Sequence, residues 1–198
     1  MTSNLSPRVY TILSVLNDLK DAFLTLLLKP NKHPSLLMMY AFIDICAALA
    51  RNESARNNKQ VFTNYLKEFA TLRGASLTAD QLWAARSAML HTFSPLGHRT
   101  GLGKSKPIFY YSWNEKKEEV RRSLEERGYS AFSLLSVNEL KGLAIWTYNG
   151  MMRRVESDSA FRERVIANAE HLLLDYRAYR VEGFLHYVDT LEGGAPEE

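Results

Sequence analysis

Two ionic side chains stand where the surrounding sequence is apolar. Asp44 lies inside the run MMYAFIDICAALA, between Ile43 and Ile45. Arg86 lies inside LWAARSAMLH. At about 100° per residue, with Leu82 at zero, Arg86 falls at about 40°, among Met89, Phe93, Leu90 and Trp83. Neither charge can be left bare in such a place, because an unpaired buried ion is expensive. Two opposite charges on apolar helices are natural partners for one another. The pair admits two readings. One is a structural ion pair inside a helical core. The other is a site in which the acid orients the arginine, since charge kept in apolar surroundings at a cost often serves function.

The elements that must position these residues read as helices. Pro7 to Leu28 carries Val9, Ile12, Leu16, Leu19, Phe23 and Leu27 at helical spacing, starts at Ser6-Pro7 and ends at Lys29-Pro30. Pro34 to Arg51 is apolar on nearly every face, which predicts a central helix. A third helix spans Asn57 to Leu72, with Val61, Tyr65, Leu66 and Phe69 facing inward and Gly74 closing it. Thr78 opens the fourth, and Gln81 three residues later completes a capping box. That helix should run to about Phe93. The segment at 94–106 is rich in Gly, Ser and Pro and reads as a loop. Ile108 to Trp113 is aromatic and β-branched, which predicts a short strand, one arm of a small hairpin. Further helices are expected over Glu115 to Arg127, Val137 to Val155 and Ser159 to about Leu191. The tail from about residue 193, GGAPEE, is expected to be disordered. The reading is an all-α bundle, one domain over 1–198, with one short strand or hairpin near 107–113.

Composition narrows the classes. The net charge of +3 permits a nucleic-acid partner without requiring one. A single cysteine, Cys46, rules out an internal disulfide and a cysteine-rich metal site. No charged start followed by an apolar block opens the chain, as a signal peptide would need. The most apolar stretch, Leu36 to Ala50, is too short to cross a bilayer and contains Asp44. A cytoplasmic protein without a membrane partner is the expectation, with Cys46 reduced and buried.

The helix LWAARSAMLH resembles the signature helix of the HEPN superfamily: an arginine, a polar residue, and a histidine a few residues on. Here these are Arg86, Ser87 and His91. The apolar helix with its embedded acid, and the order of helices, signature helix, basic loop and further helices, are similar to that family over about residues 5–155. Comparable arginine-to-histidine spacings recur at Arg164 and His171 and at Arg180 and His186. Only the first lies in a capped helix, inside an apolar stripe, downstream of an acid-bearing helix.

The resemblance implies a metal-independent endoribonuclease, without a cofactor, in which the signature helices of two subunits meet and two Arg-His sets line one cleft. His91 would be general base or acid for attack of a ribose 2′-OH on the neighbouring phosphate. Arg86 would hold that phosphate and stabilise charge on its oxygens. Ser87 would orient Arg86 or bind phosphate, and Asp44 would position Arg86. The product would carry a 2′,3′-cyclic phosphate. The partners implied are RNA, a second copy of the chain, and an antitoxin or regulatory protein if it acts as a toxin or defence effector. The alternative is a HEPN-like dimer without catalysis that binds RNA, a nucleotide or a protein. On the same helical wheel His91 falls at about 180°, away from Arg86. Either the helix distorts before His91, or the two groups converge only across a dimer.

The loop GHRTGLGKS resembles a phosphate loop, but has one residue too many between its glycines and follows a helix. Its cations His98, Arg99 and Lys104, with Lys106 beyond, are candidates to grip an RNA backbone. The run Phe109, Tyr110, Tyr111 and Trp113 can stack bases, or pack a strand on the core. EKKEEVRRSLEER reads as a solvated helix face. His33, His171 and His186 lack the neighbours of a metal site.

Overall fold

A computed structural model describes residues 7–29, 32–55, 57–70, 77–92, 106–112 and 115–170 of the chain. Helix α1 (Pro7–Leu26) is followed by the turn that Lys32 closes, its ammonium donating to the carbonyls of Leu27 and Lys29. A cation at a helix C-terminus satisfies carbonyls that the helix itself leaves unpaired. Helix α2 (His33–Leu49) has Pro34 in its first turn, where the missing N–H costs nothing. It buries Met39, Tyr40, Phe42, Ile43 and Cys46 and packs on α1. Its one buried hydroxyl at this contact, Ser35 Oγ, donates to the Phe23 carbonyl at 3.0 Å.

Helix α3 (Asn58–Phe69) is capped by Asn57, whose side chain accepts from the Gln60 N–H at 3.0 Å. Helix α4 (Ala79–Thr92) starts at the expected capping box. The Thr78 N–H donates to Gln81 Oε1 at 2.8 Å, and the Gln81 N–H donates to Thr78 Oγ1 at 3.2 Å. Strand β1 (Ile108–Tyr111) is the aromatic strand expected from its residues.

The partner of that strand corrects the hairpin expectation. Strand β2 (Ser133–Ser136) pairs with β1 in parallel, Ile108 opposite Ser133 and Tyr111 opposite Ser136. Parallel strands cannot be joined by a tight turn, and helix α5 (Lys117–Glu126) makes the crossover. Gly128 ends α5 at φ +88°, with its N–H on the Glu125 carbonyl at 2.9 Å and the Tyr129 N–H on the Leu124 carbonyl at 3.1 Å. This is a Schellman cap, and only glycine adopts that backbone without strain.

Helix α6 (Val137–Ser157) grows directly out of β2. Ser136 caps it by accepting from the Asn138 N–H at 3.1 Å, and Glu139 returns a bond to the Ser136 N–H at 2.7 Å. Helix α7 is described over 159–170. Phe23, Phe42, Phe62, Leu82, Leu140 and Phe161, one from each of the long helices, share a single core. The central α2 touches α1, α3, α4 and α6. The described part of the chain is therefore helical with one small two-stranded sheet. Among the described residues no helix is long and apolar enough to cross a membrane. The segment read as a loop, except Lys106, and the C-terminal tail lie outside the described residues.

Burial gives Cys46 a measurable signature. The residue is fully buried, and loss of hydration pushes its thiol up to about 12. The unfolded chain releases that proton at about 8.5, so above this pH the folded state holds a proton that the unfolded state has lost. Stability is therefore full below pH 8.5 and falls by about 1.4 kcal/mol per pH unit from there toward the folded value. Urea titrations between pH 7.5 and 10 should show that slope in the wild type and lose it in Cys46→Ala. The native thiol should also resist alkylation at pH 8 and react fully in denaturant. Rapid native alkylation would contradict the burial.

Candidate functional site

Helices α2 and α4 bring Asp44 and Arg86 together. Arg86 Nε donates to Asp44 Oδ2 at 2.7 Å, and Nη2 lies 2.5 Å from the same oxygen. The side chains are 18% and 23% exposed, so the pair sits at the mouth of the core and not inside it. Both donors converge on one carboxylate oxygen. Among the described residues, Asp44 Oδ1 and Arg86 Nη1 have no partner. Burial pushes the Asp44 carboxyl up, and the hydrogen bond and charge of Arg86 oppose that rise. The pair is held at an electrostatic cost that a leucine pair would avoid.

Trp83 holds the other side of the arginine. Its ring centroid lies 4.8 Å from the guanidinium carbon, within cation–π range. The indole in turn packs on Phe62 of α3, centroid to centroid 5.5 Å, which fixes its plane. The guanidinium is thus clamped between a carboxylate and an aromatic face. Trp83 was not singled out by sequence as a site residue. Its signal was its place three residues before Arg86, one turn away on the same face. Trp83, Arg86, Ser87 and Leu90 are all half-buried, while Leu82, Ala85 and Met89 are buried. Ser87 therefore lies on the open side of α4 beside Arg86.

His91 lies in the last turn of α4, and its side chain is outside the described residues. The helix is continuous through Thr92, so no distortion intervenes. Five residues on a regular helix place His91 about 140° round the axis from Arg86 and close to the Ser87 side.

On α2, Tyr40 stands one turn before Asp44 and is fully buried. Its hydroxyl meets that of Tyr110 at 2.8 Å, the rings edge to face at 6.5 Å. This contact fastens β1 to α2 beside the ion pair. Burial pushes both phenols up, so the contact stays neutral. Phe109 packs against Tyr129 at 5.0 Å and Phe132 at 5.9 Å. Phe109 and Tyr110 are thus engaged in packing, the second of the two readings of this run. Trp113 lies outside the described residues.

The other candidates divide. Lys106 is exposed, two residues before β1. His98, Arg99 and Lys104 lie outside the described residues. The charged segment is α5, with no buried residue and with surface ion pairs such as Lys116–Glu119 at 3.3 Å. Such pairs contribute little to stability. Among the described residues no three His, Cys, Asp or Glu side chains cluster as metal ligands would. What the arrangement offers chemically is a fixed, partly exposed cation with an N–H donor that is unpaired among the described residues, and a carboxylate holding it. No family model matches the chain, and neither does any curated protein or any solved structure.

Proposed function

We propose that this chain is a HEPN-type endoribonuclease that acts as a dimer and needs no metal. The observation that supports the reading most is the clamped Arg86, carried by a capped helix and oriented by Asp44 of the apolar helix. In the proposed reaction a ribose 2′-OH attacks the adjacent phosphorus and the bond to the 5′-oxygen breaks. His91 handles the proton removed from the 2′-OH or the proton delivered to the leaving 5′-oxygen. Arg86 offers N–H groups to a non-bridging oxygen as its charge grows. Ser87 adds a hydroxyl on the same side, and Asp44 and Trp83 hold the guanidinium in place. The products are a 2′,3′-cyclic phosphate and a free 5′-hydroxyl. Lys106 and the cations of the preceding segment would bind the RNA backbone.

A second copy fits the surface around the pair. On α2 Leu37, Met38, Ala41, Ile45 and Ala48 are only half-buried and surround Asp44 without a cation among them. Apolar area of this kind beside a polar centre suits an isologous contact. A toxin or defence effector restrained by an antitoxin or regulatory protein is the biological setting this reading suggests.

The test is cleavage of varied RNAs by purified protein in EDTA. The expected result is activity that survives chelation and leaves 2′,3′-cyclic phosphate ends. A folded dimer that cuts no RNA would end the enzyme reading. The second reading, a binding module of the same architecture, is favoured by the angle between Arg86 and His91 within one regular helix.

A further inference from the structure

At the far end of α2 from Tyr40 is a cavity of about 350 Å³ between α2 and α3. That is within the size range of small-ligand pockets, about 300–1,000 Å³. Its floor is apolar and its rim is polar. Ala47, Ala50 and the ring of Tyr65 are buried at the bottom, with Val61 half-buried beside them. Arg51, Asn52, Asn64 and Lys67 stand exposed around the opening. The room exists because α2 presents alanines where it faces α3.

The walls are fixed before any ligand arrives. Asn168 of α7 donates through Nδ2 to the carbonyls of Leu49 and Arg51, both at 2.9 Å, and locks the end of α2. Arg51 Nη2 donates to the Ala55 carbonyl at 3.3 Å, holding the guanidinium at the rim, and its other N–H groups have no partner among the described residues. Glu68, the one acid of the lining, pairs with Arg154 of α6, which also holds Asp158, and is outnumbered at the rim by Arg51 and Lys67. Lys67 makes no ion pair among the described residues. The rim is therefore cationic in balance. Asn64, and the amide nitrogen of Asn52 whose oxygen accepts from the Ser54 N–H at 3.4 Å, add neutral hydrogen-bonding groups.

We infer that this cavity is a binding site for a small organic phosphate of about mononucleotide size. Arg51 and Lys67 take the phosphate, the two asparagines meet polar edges of the body, and the alanine and tyrosine floor takes its flat face. A free mononucleotide and one nucleotide of a bound RNA share this chemistry. The site lies apart from the ion pair. Arg51 lies just past the end of α2, seven residues beyond Asp44 and about 10 Å further along the helix axis. The inference does not rest on the ribonuclease reading.

Isothermal titration of the full chain at low salt with the four nucleoside 5′-monophosphates tests it. Inorganic phosphate and uncharged nucleosides serve as controls. The expected result is submillimolar binding of at least one monophosphate, with each control weaker by about tenfold or more. Lys67→Glu and Asn64→Leu, both at exposed positions, should each weaken it by about tenfold, and Lys117→Glu on the exposed α5 should leave it unchanged. Binding confined to short RNA, and weakened by Lys67→Glu, assigns the occupant to a nucleotide within the strand. No binding of monophosphate or RNA at millimolar concentration, or binding indifferent to both rim variants, overturns the proposal. A chain that binds monophosphates yet cuts no RNA keeps this site and loses the enzyme reading.

Discussion

Arg86→Ala should cut RNA cleavage by about a hundred- to a thousandfold, and should also destabilise the fold. The rate loss follows from removing a fixed donor aimed at charge that grows in the transition state, worth about a hundred- to a thousandfold for one such group. The stability loss has a separate origin. Asp44 is left half-buried without its cation, which costs up to about 3 kcal/mol for a pair of this burial. Burial already pushes its carboxyl up against the opposition of Arg86, so removing the arginine lets it rise further. The folded variant then binds a proton that the unfolded chain releases at about pH 3.9. Its stability relative to wild type should therefore fall as pH climbs from about 4 through the folded value. Adding Asp44→Asn should recover much of the stability and none of the cleavage. Arg86→Lys separates the effects in a third way. An ammonium can still reach Oδ2, so the fold should hold, but it lacks the planar fork and its contact with Trp83 is weaker. Cleavage should still fall by about a hundredfold. Full activity in a folded Arg86→Lys or Arg86→Ala protein would reduce the pair to a structural ion pair.

The Asp44–Arg86 contact was legible in the sequence because few solutions exist for a charge on an apolar helical stripe. Helical period and desolvation cost suffice to predict a partner of opposite sign. The capping box at Thr78 was legible for a similar reason, since its bonds close within four residues. What escaped was non-local. The four residues of β2, SLLS, carry no alternation of polar and apolar side chains, and their pairing with β1 spans the whole of α5. A hairpin is the local expectation for an aromatic strand, but the segment after Tyr111 supplies a crossover helix instead. Trp83 escaped because a tryptophan on an apolar stripe reads as core, and only packing shows its face under a guanidinium. The cavity escaped because its walls belong to two helices, each of which reads as ordinary. Arg51 and Lys67 look like cations at helix ends, where the dipole favours them anyway.

His91→Ala should also remove cleavage, by about a hundred- to ten-thousandfold if the histidine transfers a proton in the rate-limiting step. Wild-type activity should then depend on pH near neutrality, where imidazole titrates. The more informative result comes from combining the two inactive proteins. The regular α4 helix separates Arg86 and His91 by about 140°, so one subunit cannot turn both toward the same phosphate by helix geometry alone. If they converge across a two-fold axis, each of the two Arg-His sets in the shared cleft takes Arg86 from one subunit and His91 from the other. A heterodimer of Arg86→Ala with His91→Ala then carries one set with both groups intact and one with neither. Random assortment makes half of the dimers mixed, and co-expression should restore about a quarter of wild-type activity. If instead each set used both groups of one subunit, the heterodimer would have no intact set and the mixture would stay inactive. Mixing the same proteins with a non-dimerising variant, such as Ile45→Glu on the half-buried face of α2, removes any rescue that depends on the interface. Rescue lost with that variant would tie the chemistry to the contact around Asp44. Persistent inactivity in confirmed heterodimers would confine both groups to one subunit and require His91 to act through a neighbouring water or a second phosphate contact.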